Sequence, residues 1–375
     1  MRSLGLYLHI PFCRSKCLYC DFCSFPHRDG ETVEAYIGAL CRDLAQKAKD
    51  CEAHEVDTVY FGGGTPTYLS SDQLLRILDT VVRCYRLSPT AEITLECNPA
   101  TASASDFAAL RRGGFNRISI GLQSTHENEL RALGRLHSFA DFLATVEQVR
   151  KAGFANISAD LMIGIPEQTE ESFLQSIERL CALAPEHISA YGLSIEEGTP
   201  FDRMRERLAF PDEDTAASMY TAGVSALKAQ GYAQYEISNF ARAGYESRHN
   251  LKYWNCEEYL GFGPAAYSDF CGTRFGNSRD LDAYIEGKDI CVETEVPTPV
   301  ERMNEYVMLR MRLCEGVSAK AFATRFNADF EELFGKKLAA YEPDGFVRRT
   351  RDGWAFTAKG FSVSNAILSE VLDFS

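Results

Sequence analysis

Three cysteines close to the start of the chain have the spacing that most clearly indicates chemistry. Cys13, Cys17 and Cys20 form the pattern C-x3-C-x2-C, which places three thiolates within eight residues. Three thiolates can hold one corner of a [4Fe–4S] cluster and leave the fourth iron open. The amino and carboxylate groups of S-adenosylmethionine suit that open iron. Zinc is the alternative, and it would need a fourth ligand, which Cys23 or His27 could supply.

Composition limits the classes of protein to consider. The 375 residues suggest two or three domains, and 45% hydrophobic with 25% charged residues is typical of a soluble globular protein. A net charge of −14 argues against broad nucleic-acid binding. The sequence has neither an apolar run long enough for a transmembrane segment nor a signal peptide. The other ten of its 13 cysteines are scattered as in reduced proteins, so we expect a cytoplasmic location.

Short apolar runs alternate with amphipathic stretches over the first two-thirds of the chain. Helical patterns lie near 31–50, 71–86, 103–113, 138–152, 169–183 and 212–230. They separate six strand-like runs: Leu4–Ile10, Val56–Phe61, Glu92–Glu96, Arg117–Leu122, Ile157–Ile163 and His187–Leu193. Six strand-then-helix units predict an α/β fold with a parallel sheet, curled into a partial (β/α)6 barrel. Ala233–Ile237 could add an edge strand.

From about residue 236 to the end, the chain no longer alternates regularly between strand-like and helical patterns. Residues 240–290 are rich in glycine, asparagine and aromatic residues, and we expect loops there. From about residue 300 helical patterns return, and Asp352-Gly353 between extended runs predicts a hairpin. We therefore predict a barrel over 1–235, a loop-rich connection over 236–299 and a C-terminal α+β, winged-helix-like domain over 300–375. Basic and acidic residues balance in that last part, which favours a packing or partner role over DNA binding.

Polar and glycine residues follow the predicted strands, at the edge where parallel-sheet proteins place their sites. Gly62–Gly64 follows the second strand, and glycine lets the backbone approach a ligand closely. No Gly-Lys-Ser/Thr follows, which argues against a phosphate loop. Glu96, Gln123 and Asp160 can accept hydrogen bonds from a hydroxyl or an amine, and Arg135 offers a cation to a carboxylate. Taken singly, each polar residue also suits an ordinary surface or core position.

Together these motifs resemble the radical SAM superfamily. The resemblance lies in Tyr7 with the three cysteines, Gly-Gly-Gly-Thr-Pro-Thr, Glu96-Cys-Asn-Pro, Ser119-Ile-Gly-Leu-Gln123-Ser and Asp160-Leu-Met-Ile-Gly-Ile-Pro166. It implies a [4Fe–4S] cluster on the three cysteines. It also implies contacts to S-adenosylmethionine from Tyr7, Tyr19, Gly63, Gly64, Thr65, Glu96, Gln123, Arg135 and Asp160. In this superfamily the cofactor supplies the radical chemistry, and the protein supplies orientation and shielding.

Within the superfamily the chain is similar to relatives of oxygen-independent coproporphyrinogen III oxidase. The oxidases carry a further cysteine two residues after the third, where this chain has Phe22, and a long N-terminal extension, where only 12 residues precede Cys13. His249-Asn250-Leu-Lys-Tyr253-Trp254 matches the His-Asn-x-x-Tyr-Trp motif of the HemW-type haem chaperones. This resemblance implies a protein that binds haem and delivers it to haem-accepting proteins, some of them membrane-bound respiratory proteins. The alternative is an enzyme, a radical SAM oxidative decarboxylase, and the sequence leaves open whether the chain is an enzyme.

The His-Asn-x-x-Tyr-Trp stretch also suits haem chemically. The His249 imidazole can ligate the iron, and aromatic side chains can cover the macrocycle. Arg248 could pair with a propionate, and Cys256 is a second candidate iron ligand. From these residues alone a structural segment fits as well, and Cys23 and Cys256 fit buried structural thiols. An oligomer is compatible with the sequence.

Overall fold

The computed structural model describes residues 1–372, and one twelve-stranded sheet dominates it. The six predicted barrel strands are all present and lie side by side in chain order, each parallel to the next. Their bounds are Arg2–Ile10, His54–Gly63, Leu87–Cys97, Arg117–Gln123, Ile157–Ile163 and His187–Gly192. The α/β partial barrel predicted from the sequence is confirmed.

Helices cover the outside of the barrel strands. They are Gly30–Lys47, Ser71–Cys84, Ala104–Arg112, Glu127–Ala132, Phe139–Lys151, Glu170–Cys181, Pro200–Met204 and Glu213–Ala229. Four of them begin with a capping box, at Ser70, Ser103, Ser138 and Thr169, whose side chains accept from the N3 amide. Each box satisfies amides that the first helical turn leaves free, so the helices begin close to where the sequence pattern places them. One-turn 3-10 segments occur at Ala48–Cys51, Pro66–Tyr68, Arg205–Arg207 and Ala339–Tyr341.

The alternation of side chains along each strand separates the core from the barrel interior. In the first strand Leu4, Leu6 and Leu8 are fully buried in the apolar core that the helices share. The intervening Gly5 and Tyr7 face the interior, where Tyr7 packs on Tyr60 of the second strand. Period-two alternation therefore delivers apolar residues to the core and polar ones to a central chamber.

The expectation of loops over residues 240–290 is wrong. Tyr259–Phe262 pairs in parallel with the first barrel strand, and Tyr267–Phe270, Thr273–Asn277 and Cys291–Glu295 extend the sheet antiparallel from it. Helices Arg248–Trp254 and Leu281–Glu286 lie in the same stretch. The strands are four or five residues long, too short for a clear alternating pattern. The domain boundaries at 235 and 299 stay a prediction.

At the opposite edge of the sheet, two short strands follow the barrel. Asn239–Ala241 pairs antiparallel with the sixth barrel strand, and Ala233–Gln234 pairs with Asn239–Ala241. The edge strand predicted at Ala233–Ile237 is therefore present over two of its residues. A separate two-residue pairing, Phe12–Cys13 with Phe25–Pro26, closes the loop that carries the cysteines.

The C-terminal part has its own core and the predicted hairpin. Its helices are Pro299–Arg310, Ala319–Phe326, Lys336–Leu338, Ala358–Ser362 and Ser364–Val371, with a π-helical turn at Glu331–Gly335. Val317–Ser318, Val347–Arg349 and Gly353–Phe356 form a three-stranded antiparallel sheet. Fully buried Trp354 centres this second core. The arrangement is the α+β, winged-helix-like domain that the sequence predicts, and an isolated bridge between Glu236 and Leu313 joins it to the barrel edge.

Candidate functional site

A cavity of about 590 Å³ lies inside the barrel, towards the carboxyl ends of the strands. Its volume is in the range that holds one drug-sized ligand. Eleven of the thirteen predicted site residues line it: Cys13, Cys17, Cys20, Tyr19, Gly63, Gly64, Thr65, Glu96, Gln123, Arg135 and Asp160. Side chains that are distant in sequence meet here because parallel strands end at one edge of the sheet.

The three cysteines lie on the loop between the first strand and the first helix. All are free thiols; Cys13 is buried, and Cys17 and Cys20 are half-buried. Within residues 1–372, His54, Glu258 and Cys271 form a separate group whose ligand atoms lie within 4.8 Å of one another. A structural zinc ion takes four protein ligands, whereas a [4Fe–4S] cluster whose fourth iron stays open takes three thiolates, so the three cysteines suit the cluster.

The chemistry of these thiols also fits a cluster. Burial raises the pKa of the Cys13 and Cys20 thiols, so a bound cation is needed to stabilise the thiolates. The Arg135 guanidinium contacts the Cys17 sulfur at 3.5 Å, and its buried Nε has no hydrogen-bond partner. A cluster on Cys13, Cys17 and Cys20 would therefore have a cationic neighbour with an unused donor.

The glycine turn after the second strand is attached to the cysteine loop. The Gly64 amide donates to the Ile10 carbonyl at 2.9 Å, and the Thr65 amide donates to the Phe12 carbonyl at 2.7 Å. A Cβ on Gly64 would lie 2.7 Å from the Phe12 carbonyl oxygen, so only glycine allows this approach. These two amides thus hold the cysteine loop in place.

Glu96, at the end of the third strand, is held from two sides. The Tyr60 hydroxyl donates to Oε1 at 2.8 Å, and the Gly63 amide donates to Oε2 at 3.2 Å. Burial raises the pKa of Glu96 to about 7, although both hydrogen bonds act against the shift. A cationic amino group or a hydroxyl in the cavity would stabilise the ionised carboxylate.

Gln123 and Asp160 present acceptors from the next two strands. Gln123 has φ +73°, an unusual value for a residue with a side chain, and its Oε1 accepts from the Tyr191 hydroxyl at 2.8 Å. Burial raises the pKa of Asp160 to about 6, against hydrogen bonds from the Ser189 and Ser119 side chains. Both residues can accept from ribose hydroxyls.

The sequence analysis did not single out three residues that support this site. Asn98 accepts from Arg135 at 2.7 Å and donates to Thr65 Oγ1 at 2.8 Å, which links the ends of the second and third strands to the segment after the helix Glu127–Ala132. Tyr60 and Tyr191 hold Glu96 and Gln123. Asn98 belongs to the Glu96-Cys-Asn-Pro motif, and Tyr60 lies two residues before Gly62 on the same strand face. The sequence therefore contained the motif that identifies Asn98 and the strand position that identifies Tyr60.

Two predicted site residues lie outside the cavity lining. Tyr7 packs beneath it, and its hydroxyl lies 3.1 Å from His9 Nδ1. His249 is 1% exposed inside the barrel, with Nδ1 2.8 Å from Thr58 Oγ1 and Nε2 2.9 Å from the Tyr253 hydroxyl. Burial lowers the pKa of His249 to about 3. Both ring nitrogens are occupied, so ligation of haem by His249 stays a prediction that requires its helix to leave the barrel.

The rest of the His-Asn-x-x-Tyr-Trp segment anchors that helix. Asn250 lines the cavity from below, and buried Lys252 forms an ion pair with Asp57 at 2.7 Å. Arg248 donates to the Thr90 carbonyl at 2.7 Å, so its guanidinium already has a partner. Cys256 is half-buried, and its carbonyl accepts from Arg325. The propionate and second-ligand roles predicted for Arg248 and Cys256 stay predictions.

Comparison with known proteins agrees with this geometry. Residues 7–180 match the radical SAM superfamily, and residues 298–363 match the HemN C-terminal domain. The structure of coproporphyrinogen III oxidase (HemN) from Escherichia coli aligns with a TM-score of 0.86 at 23% identity, covering 100% of this chain and 91% of that one. At that identity the likeness establishes the fold. The fold and the cysteine site therefore define a radical SAM protein.

Relatives that match along nearly the whole chain identify the family within the radical SAM proteins. The chain is 35% identical to the haem chaperone HemW of Bacillus subtilis, over 98% of both chains. It is 33% identical to HemW of Lactococcus lactis, over 98% of this chain and 96% of that one. HemW of Escherichia coli is also 33% identical, over 97% of both chains. The chain belongs to the HemW family.

Bound at this site, a [4Fe–4S] cluster and S-adenosylmethionine would supply one-electron chemistry, and the chain's residues orient and enclose them. Cys13, Cys17 and Cys20 would hold the cluster, while Glu96, Gln123 and Asp160 offer acceptors to the nucleoside. Among the described residues, no helix is both long and apolar enough to cross a membrane.

Proposed function

We propose that the protein is a cytoplasmic haem chaperone that binds haem and delivers it to acceptor haem proteins. It carries a [4Fe–4S] cluster on Cys13, Cys17 and Cys20 and S-adenosylmethionine in the barrel cavity. The observation that carries the proposal is identity of 33–35% to HemW proteins along nearly the whole chain. The acceptors include membrane-bound respiratory proteins. With a net charge of −14, docking to a protein is favoured over docking to anionic lipid.

Two features of the sequence support a chaperone over a coproporphyrinogen decarboxylase. Phe22 occupies the position where the oxidases have a further cysteine. Residues His249 to Trp254 carry the His-Asn-x-x-Tyr-Trp motif of the haem chaperones.

The test is an anaerobic haem titration of cluster-reconstituted protein, followed by Soret absorbance. We expect saturable binding of one haem per chain, and transfer of that haem to apomyoglobin as a generic acceptor. A parallel assay with coproporphyrinogen III, S-adenosylmethionine and a low-potential reductant should give no decarboxylation. Absence of specific haem binding together with turnover of coproporphyrinogen III would replace the chaperone with the enzyme.

A further inference from the structure

The amino ends of the barrel strands, opposite the cavity, bring together a second group of possible metal ligands. His54 begins the second strand, and Glu258 directly precedes the strand Tyr259–Phe262. Cys271 lies in the turn between the next two strands. One ligand atom of each side chain lies within 4.8 Å of the ligand atoms of the other two. We call these three side chains the basal ligand group.

Glu258 is the centre of the basal ligand group. Its Oε2 lies 2.9 Å from His54 Nε2, and its Oε1 accepts a hydrogen bond from the Cys271 amide at 2.9 Å. That hydrogen bond fixes the turn which carries the thiol, where Cys271 has φ +50°. Arg2 also faces the carboxylate, but its largely exposed guanidinium lies 4.0 Å from Oε1. An exposed ion pair of this length is weak, so it leaves Glu258 free to bind a metal ion.

The His54 imidazole is oriented mainly by packing. The side chain is 4% exposed, and its ring packs on Phe270 with 5.0 Å between centroids. Within residues 1–372, the buried Nδ1 has no hydrogen-bond partner, so the ring depends on Glu258 for its polar contact. Imidazole is the commonest metal ligand in proteins, and here its Nε2 is already directed at a carboxylate.

We propose that the basal ligand group binds Zn²⁺ through one imidazole, one carboxylate and one thiolate. Zinc binds these three donors at about 2.0–2.3 Å, so ligand atoms in a tetrahedral site lie about 3–4 Å apart. The three atoms are already within 4.8 Å of one another, and the Cys271 thiol lies in an exposed turn that can make the remaining adjustment. The thiol releases its proton to solvent as the zinc–sulfur bond forms, and water takes the fourth position.

The position of this site gives the ion a structural role. The ion links the start of the second barrel strand to the sheet extension, which pairs with the first strand through Tyr259–Phe262. Glu258 also lies four residues after Trp254, where the helix Arg248–Trp254 ends. Bound zinc therefore restricts movement of the segment that runs from the end of this helix to the turn at Cys271.

The test is zinc binding by cluster-reconstituted protein, in which iron already occupies the three cluster cysteines. Equilibrium dialysis with radioactive zinc should give one ion per wild-type chain. Cys271→Ser and Glu258→Gln should each weaken zinc affinity by about tenfold or more, since even groups behind the ligands contribute that much. The matched control is Cys291→Ser, which removes another exposed thiol, in the edge strand Cys291–Glu295, and should retain wild-type affinity.

X-ray absorption at the zinc edge identifies the ligands. One sulfur among nitrogen and oxygen neighbours supports the basal ligand group, whereas three sulfurs would put zinc on the cluster cysteines and overturn the proposal. Zinc should also slow amide hydrogen exchange over residues 255–277 in the wild type and in Cys291→Ser, but not in Cys271→Ser. Absence of zinc binding by the wild type, or equal affinity in Cys271→Ser, would likewise overturn it. The haem chaperone proposal does not depend on any of these results.

Discussion

The hydroxyl of Tyr60 donates a 2.8 Å hydrogen bond to Glu96 and thereby fixes the carboxylate in the cavity wall. The same tyrosine ring stacks on His249 with 5.2 Å between centroids. The helix Arg248–Trp254 therefore packs directly behind a residue that supports the cofactor pocket. The family motif on this helix has a structural role in the barrel, whatever else it does.

Removing the Tyr60 hydroxyl should weaken cofactor binding. Tyr60→Phe leaves Glu96 with one hydrogen bond fewer, which raises the pKa of Glu96 further and favours its neutral form at pH 7. We expect about a fivefold loss of affinity for S-adenosylmethionine, the equivalent of about 1 kcal/mol. Calorimetric titration of reconstituted protein measures it. The control is Tyr85→Phe, which removes a buried hydroxyl bonded to the Leu44 carbonyl, far from the cavity; equal losses in both variants would contradict the assignment.

Cys17→Ser should abolish the cluster without unfolding the chain. The loop is held independently of the metal by the pairing of Phe12–Cys13 with Phe25–Pro26 and by the glycine turn. We expect loss of iron and of the brown colour, with an unchanged far-ultraviolet circular dichroism spectrum. Cys41→Ser, in the helix Gly30–Lys47, is the matched control and should keep its iron. An unfolded spectrum for Cys17→Ser would show that the cluster is needed for folding.

His249→Ala should destabilise the protein by about 2–4 kcal/mol, because it leaves a cavity in the barrel and removes the partners of Thr58 and Tyr253. Thermal unfolding, with exposed His27→Ala as control, measures the effect. Haem titration at a temperature where the variant is folded separates two roles of His249. Unchanged haem stoichiometry would leave His249 a packing role alone, and loss of haem from a folded variant would support it as the iron ligand.

The free energy of unfolding should depend on pH through Glu236, which lies at the junction with the C-terminal domain. Burial raises the pKa of Glu236 to about 7 from 4.5, and neither carboxylate oxygen has a hydrogen-bond partner among the described residues that would favour the ionised form. Because the folded-state pKa is raised, the contribution of this carboxyl to stability falls as pH rises from about 4.5 to 7. Glu236→Gln should therefore gain stability relative to wild type by up to about 3 kcal/mol between pH 5 and pH 8. Chemical unfolding at both pH values tests this; a difference that does not change with pH would contradict it.

Local patterns in the sequence were sufficient to predict much of this structure. Cysteine spacing predicted the ligands of the proposed cluster, and alternating periodicities predicted six strands and their helices, because both signals depend on residues close in the chain. Asp352-Gly353 predicted the C-terminal hairpin for the same reason. A general rule about parallel strands predicted that Glu96, Gln123 and Asp160, which lie on three neighbouring strands, come together.

Only the tertiary structure decided where the later segments go. Tyr259–Phe262 pairs with the first strand on the side away from the second strand, and Gly5 there faces Tyr259. No local pattern encodes a pairing between residues so far apart in the chain. Gly5 leaves room inside the barrel, since a Cβ there would lie 2.8 Å from Lys252 and 3.3 Å from His249. The helix Arg248–Trp254 fits into this space, and His249 is therefore buried in the barrel. From the sequence alone, His249 was predicted as a haem ligand. Packing between distant segments, rather than residue type, determined its environment.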